Sequence, residues 1–169
     1  LDARPAIGAL PPQPREMLAV STPRAWPGFD TSRMAYVKQP HELEYFTKSR
    51  WADAPARMLA PLLVRAFEQS GAFGAVVHNP GSIAGTLRLD TELVRLQQEF
   101  QDGPSRVRVT LRVQLVAMEA RRVVGAREFE EVEVAGADNA YAGVVALNRA
   151  LERMLPRLVE FCASAAASR

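Results

Sequence analysis

The chain reads as an α/β domain: a single unit in which a mixed sheet, ending in an antiparallel meander, packs against two main helices. Three observations carry this reading. Val107, Val109, Leu111, Val113 and Leu115 alternate with Arg106, Arg108, Thr110, Arg112 and Gln114, the period of a strand with one face in a core. Two other stretches are apolar at helical spacing: Met58, Leu59, Leu62, Leu63, Ala66 and Phe67, then Tyr141, Val144, Val145, Leu151, Leu155, Leu158, Val159 and Cys162. At 169 residues, 48% hydrophobic and 24% charged, the chain is long enough for one sizeable core.

The elements follow in order. Seven of the 12 prolines fall within the first 40 residues, and Leu1 to Arg15 shows neither helical nor strand periodicity, so it reads as an extended tether. The domain itself spans 16–163, followed by a short tail, 164–169. Short strand-like runs occur at Met17–Val20, Met34–Lys38 and Glu42–Thr47, divided by Pro23, Pro27 and Pro40. The first helix is framed by Asp53 as N-cap, Pro55 in its first turn and Gly71 past its end. Pro61 lies on its polar face and predicts a kink or a restarted turn.

Ala75–His78 is a short strand, and the residues from His78 to Ser82 form a turn. Leu87–Phe100 and the alternating run after Asp102-Gly103-Pro104 predict a hairpin. Val123–Val134 supplies the third strand. Its alternation slips, because Phe129 is odd-numbered while Val132 and Val134 are even. A bulge at Glu130-Glu131 reconciles the phases, setting Arg112 opposite Glu128 and Arg108 opposite Glu133. Such pairs contribute about 0.2–1 kcal/mol each. The last helix runs from Asp138 to about Ala163, with Pro156 inside it.

Composition excludes several functions. There are 21 basic and 19 acidic residues, a net charge of +2, which is no nucleic-acid footprint despite a pI near 9.0. One cysteine and two histidines leave no disulfide framework, zinc module or His-based triad. The segment from Gly81 to Thr86 resembles a phosphate loop but lacks the lysine and the following helix. G-x-G-x-x-G and G-x-S-x-G are absent, so neither a dinucleotide site nor a nucleophile elbow is signalled. No catalytic, cofactor-binding or metal-binding residue is assigned. Cys162 falls on an apolar helix face and reads as a buried small hydrophobe.

What remains are candidate contact residues. Arg149, Arg153 and Arg157 form a stripe at i, i+4, i+8, either a solvated helix face or a contact surface for an acidic partner. Asn148 and Tyr141 fall within the apolar stripe and are read as structural, Asn148 through a hydrogen bond to a nearby loop backbone. Trp51, with Tyr36, Tyr45 and Phe46, anchors the first helix on the sheet, or lines a lipid- or partner-facing groove.

Several segments together resemble the ABC-type transport auxiliary lipoprotein family. They are Glu42-Leu43-Glu44-Tyr45-Phe46, Arg50-Trp51-Ala52 leading into Pro55-Ala56-Arg57-Met58-Leu59, and Ser70-Gly71-Ala72-Phe73. Further along come Leu93 through Phe100, Ser105 through Val109, Asn139-Ala140-Tyr141 and Asn148-Arg149-Ala150. The resemblance covers about Met34 to Cys162. It implies a non-enzymatic accessory without a cofactor. It also implies partnership with an MCE-domain protein and an ABC permease and ATPase that move phospholipid or another hydrophobic compound. Homo-oligomeric assembly and a periplasmic, outer-membrane location on an N-terminal lipid are implied as well. The lipid-bearing Cys is not in this chain, whose first residue is Leu; a signal peptide and its Cys are expected upstream. A general envelope-assembly lipoprotein and a direct lipid carrier remain alternatives.

Overall fold

A computed structural model describes residues 1–78 and 85–169 of the chain. Among them, β1 (Gln13–Val20), β2 (Arg24–Ala25), β3 (Arg33–Val37) and β4 (Leu43–Arg50) precede α1 (Pro55–Ser70). Then follow β5 (Phe73–His78), β6 (Leu87–Glu99), β7 (Arg106–Ala117), β8 (Arg122–Val134) and α2 (Ala140–Ala167). The architecture is α/β with one mixed sheet, as the alternation and helical spacing predict. Of the turn expected from His78 to Ser82, all but His78 lies outside the described residues, as does most of the loop-like segment ending at Thr86.

β6 is the spine of the sheet. Along one side it pairs in parallel with β1 at Leu87–Leu89, β2 at Glu92–Leu93 and β3 at Gln98–Glu99. Along the other side it pairs antiparallel with β7 over nearly its full length, and β7 pairs with β8 in the same sense. β4 joins β3, and β5 lies parallel to β1.

Leu87, Leu89 and Leu93 of β6, the odd residues Val107 to Leu115 of β7, and Phe129 of β8 form one core with both helices. Helix α1 buries Leu59, Leu62, Leu63, Ala66 and Phe67 and keeps Pro61 on its exposed side. Helix α2 buries Ala146, Leu147, Ala150, Leu151, Met154, Leu155, Leu158, Val159 and Cys162. Neither helix is broken by its proline. Gly71 closes α1 at φ 64°, the left-handed conformation that a side chain disfavours.

The structure corrects several expectations. Asp53 does not cap α1. The N-cap is Ala54, and the Asp53 carboxylate instead accepts from the Ala54 N–H and pairs with Arg57 one turn on. Those hydrogen bonds, Arg57 foremost, hold its pKa down at about 2. Tyr141 is not part of the core but 79% exposed. It lies in the first turn of α2, whose buried face is set one residue on, at Ala142, Ala146 and Ala150.

The slip in β8 is not a bulge at Glu130-Glu131. Pairing with β7 is regular from Val134 to Gly125, and Arg108 faces Val132 rather than Glu133, while Arg112 does face Glu128. The irregularities lie instead at Val124 and, in β6, at Val94. After Val94 the phase of β6 reverses, so Leu96 and Gln98 replace the odd residues on the core side.

The chain ends also differ from expectation. Residues 1–12 adopt no regular structure, yet they are no free tether. Ala3 is 1% exposed, and Leu1, Ile7 and Leu10 pack against the core. The N–H groups of Asp2 and Arg4 donate to Asn148 Oδ1 and Glu152 Oε1, at 2.9 and 3.1 Å. Two extended residues advance about 6.6 Å and one i, i+4 step of helix about 6.0 Å, so this strap stays in step with α2. It then crosses to α1, where the Leu10 N–H meets Ser70 O. Residues 164–167 are no tail, because α2 continues through them with Ala166 buried.

At the start of α2, a Cβ on Gly143 would lie 2.4 Å from Gln98 Oε1. Gly143→Ala should therefore lower stability by about 1–3 kcal/mol, read from urea denaturation; an unchanged midpoint would show that Gln98 gives way freely.

Candidate functional site

The arginine stripe of α2 faces β8. Because β8 keeps its phase, Glu131 and Glu133 share the core-side face with Phe129. Arg153 reaches Glu131 at 3.2 Å and Glu133 at 2.6 Å, Arg157 reaches Glu131 at 2.8 Å, and Arg149 stands 4.0 Å from Glu133. Arg153 also donates to Val132 O. The stripe is thus an ion ladder between helix and strand. Two carboxylates thus engage three guanidinia, with Arg149 the most loosely held at 4.0 Å and 59% exposed. Sequence reasoning missed Glu131 and Glu133, although their odd positions beside Phe129 were the signal.

Asn148 holds the N-terminal strap through its carboxamide oxygen. Trp51 is half-buried beside Met34, Phe46, Leu96 and Leu147, around a slot of about 20 Å³, room for about one water. Tyr36, Phe46 and Phe100 form a ring cluster with centroids 4.7–6.2 Å apart.

The opposite face of the sheet carries charge. Arg88 pairs with Asp90 at 2.9 Å, Arg108 with Glu99 at 2.8 Å and Glu130 at 2.6 Å, and Arg112 with Glu128 at 3.0 Å. Burial pushes the Glu99 pKa up, but hydrogen bonds from Arg108 and Gln97 outweigh it and leave the carboxyl below its ordinary value. Trp26, 43% exposed, lies beside this face with the Arg112 guanidinium over its ring at 5.5 Å. Trp26 itself was not singled out from the sequence.

Chemistry is sparse. Among the described residues no group of three His, Cys, Asp or Glu could hold a metal, and no helix is long and apolar enough to cross a membrane. Cys162 is buried, which pushes its thiol pKa up to about 12, far from a thiolate nucleophile at neutral pH.

The architecture is that of a mixed α/β sheet whose apolar face is covered by both helices. The family follows from the sequence: residues 1–159 match the model of the ABC-type transport auxiliary lipoprotein component, and the chain belongs to that family. Among solved structures it is similar to protein XCC0632 from Xanthomonas campestris, with a TM-score of 0.85 and 24% identity over 98% of this chain and 96% of that one. The hypothetical protein CT253 from Chlamydia trachomatis follows at 0.63 and 8% identity, over 97% and 100% of the two chains. The PelC dodecamer from Paraburkholderia phytofirmans follows at 0.52 and 10%, over 94% of each. No curated protein matches the chain.

Two outcomes test the electrostatics. Glu131→Gln with Glu133→Gln should cost about 1–2 kcal/mol, the range between exposed and buried pairs, and less in 1 M salt by the same urea assay. The depressed Glu99 pKa contributes stability above its ordinary value of 4.5, which is lost as pH falls through the lowered folded value. The stability gap between wild type and Glu99→Gln should therefore narrow from about pH 7 to about pH 3; a constant gap contradicts it.

Proposed function

We propose that this chain is a non-enzymatic accessory lipoprotein of an ABC transporter of the MCE type, assisting movement of phospholipid or another hydrophobic compound across a Gram-negative envelope. The observation that carries this reading is the extent of the family match, which runs from residue 1 and takes in the strap as well as the sheet. In this reading the domain stands in the periplasm on an N-terminal lipid, at the outer membrane, and contacts an MCE-domain protein that works with a permease and an ATPase. The buried thiol suits a part that acts by contact rather than by chemistry. Self-assembly belongs to the same proposal, supported by the related fold of PelC, which forms a dodecamer.

The test is purification of the lipidated protein from its native membrane after mild crosslinking. An MCE-domain protein and the transporter subunits should appear by mass spectrometry, and light scattering should give a mass several times that of one chain. A monomer that brings down none of them at any salt concentration would remove the proposal.

A further inference from the structure

We infer that the first two turns of α2 form a membrane-contact surface, with Tyr141 as its interfacial aromatic. The N-terminal strap is the device that turns this end of the domain toward the bilayer. This orientation rests on the accessory reading for its lipid anchor alone; the way an anchored domain faces is a property of the fold.

The strap supplies the direction. The N–H groups of Asp2 and Arg4 bond to Asn148 and Glu152, one helical turn apart, so the strap runs parallel to α2 and its first residue points back toward the start of the helix. Tyr141 stands seven residues before Asn148, two turns along the same line and about 10 Å away. A tether that reaches Leu1 along this line arrives beside Tyr141. Tyr141 is exposed and has no hydrogen-bond or ring partner among the described residues. Half-buried Val144 and Val145 lie on the same arc, and Leu1 is half-buried at its end. An apolar ring with a polar tip suits the headgroup level of a bilayer.

Charge does not draw this end to a membrane. Asp2 and Arg4 offset one another at 3.4 Å, and the Asp138 carboxylate is taken by the Ser105 N–H. Basic groups gather instead at the far end of α2, where Arg15, Arg122 and Arg169 line an open cleft with Glu16. Arg169 takes Glu16, while Arg15 and Arg122 are exposed and in no ion pair among the described residues. An anionic bilayer acting on charge alone would attract that basic end. The strap dictates the opposite. Bringing the basic end down would peel Leu1, Ala3, Ile7 and Leu10 from the core and break both bonds to α2. One aromatic ring is too little to hold a protein on a bilayer by itself, so Tyr141 orients a domain that is already tethered.

The test anchors the full chain through a cysteine placed before Leu1, coupled to a maleimide phospholipid in phosphatidylcholine vesicles with or without phosphatidylglycerol. Cys162 is buried, which leaves the added thiol to react. Tyr141→Trp and Val123→Trp each add an indole at an exposed position. Gly125 lies against Phe161 and Ala165, so Val123 marks the basic end, about 25 Å from Asn148 along the helix. Lipids with a nitroxide on the headgroup should quench the emission added by Tyr141→Trp by at least about half. The emission added by Val123→Trp should be nearly unchanged, in both lipid mixtures. A Gly/Ser linker of about 20 residues between the cysteine and Leu1 spans about 25 Å and should weaken the Tyr141→Trp quenching. Circular dichroism checks that the variants fold.

Equal quenching at the two positions, or stronger quenching of Val123→Trp in the phosphatidylglycerol vesicles, overturns the orientation. So does a Tyr141→Trp signal that the linker leaves unchanged. The two proposals fail separately. A native-membrane protein whose mass shows no N-terminal lipid removes the lipoprotein reading while the vesicle result stands. An anchored chain without selective quenching removes this surface while the accessory reading stands.

Discussion

The carboxamide of Gln98 sits where four elements meet, and the placement of α2 depends on it. Its Nε2 donates to Ser105 Oγ at 2.9 Å and to Asn139 O at 3.1 Å, joining the end of β6 to the start of β7 and the cap of α2. Ser105 in turn takes the Asp138 carboxylate on its N–H, and the Ala135 N–H on its carbonyl just after β8. Asn139 caps the helix by accepting from the Ala142 N–H at 2.9 Å. Gln98 is 3% exposed, so losing either donated bond would cost about 1–3 kcal/mol, while its buried Oε1 accepts none among the described residues. The two donated bonds also fix its orientation, because turning the amide over would set oxygen against the Asn139 carbonyl. Gly143 completes the fit by leaving room for the carboxamide oxygen.

From that corner the helix runs along the sheet, and its two sides are treated differently. The apolar side is ordinary core. The flank toward β8 is held by the Arg149, Arg153 and Arg157 ladder on Glu131 and Glu133. These pairs orient the helix about its own axis, a degree of freedom that greasy contacts leave soft. The same phase of β8 leaves Glu128 and Glu130 on the opposite face for Arg112 and Arg108. One strand thus matches charge on both sides of the sheet.

Much of this was legible in residue order. The alternation of β7 is unmistakable because its apolar face is continuous. The boundaries of α1 followed from Pro55 and Gly71, whose backbone demands are local. The register placing Arg112 against Glu128 was legible too. What escaped depends on partners far apart in sequence. A glutamate facing a core looks like a phase error until arginines from another element reach it. Val94 gave no sign because Leu93-Val94-Arg95-Leu96 reads equally well in either phase. Tyr141 was misplaced because a helix's buried arc is decided by what covers it, and in its first turn that is alanine against the sheet.

The strap changes the mechanics of the domain. A Pro-rich leader read as slack would let the domain wander and would transmit no tension. Instead, the bonds at Asn148 and Glu152 lie one helical turn apart along the line of the strap. A pull arriving at Leu1 along that line would load them together, in shear, whereas a pull directed away from the helix would open them one after the other, like a zipper. The molecule therefore has a stiff and a compliant direction. Its resistance to a load applied at Leu1 depends on the angle of that load as well as its size.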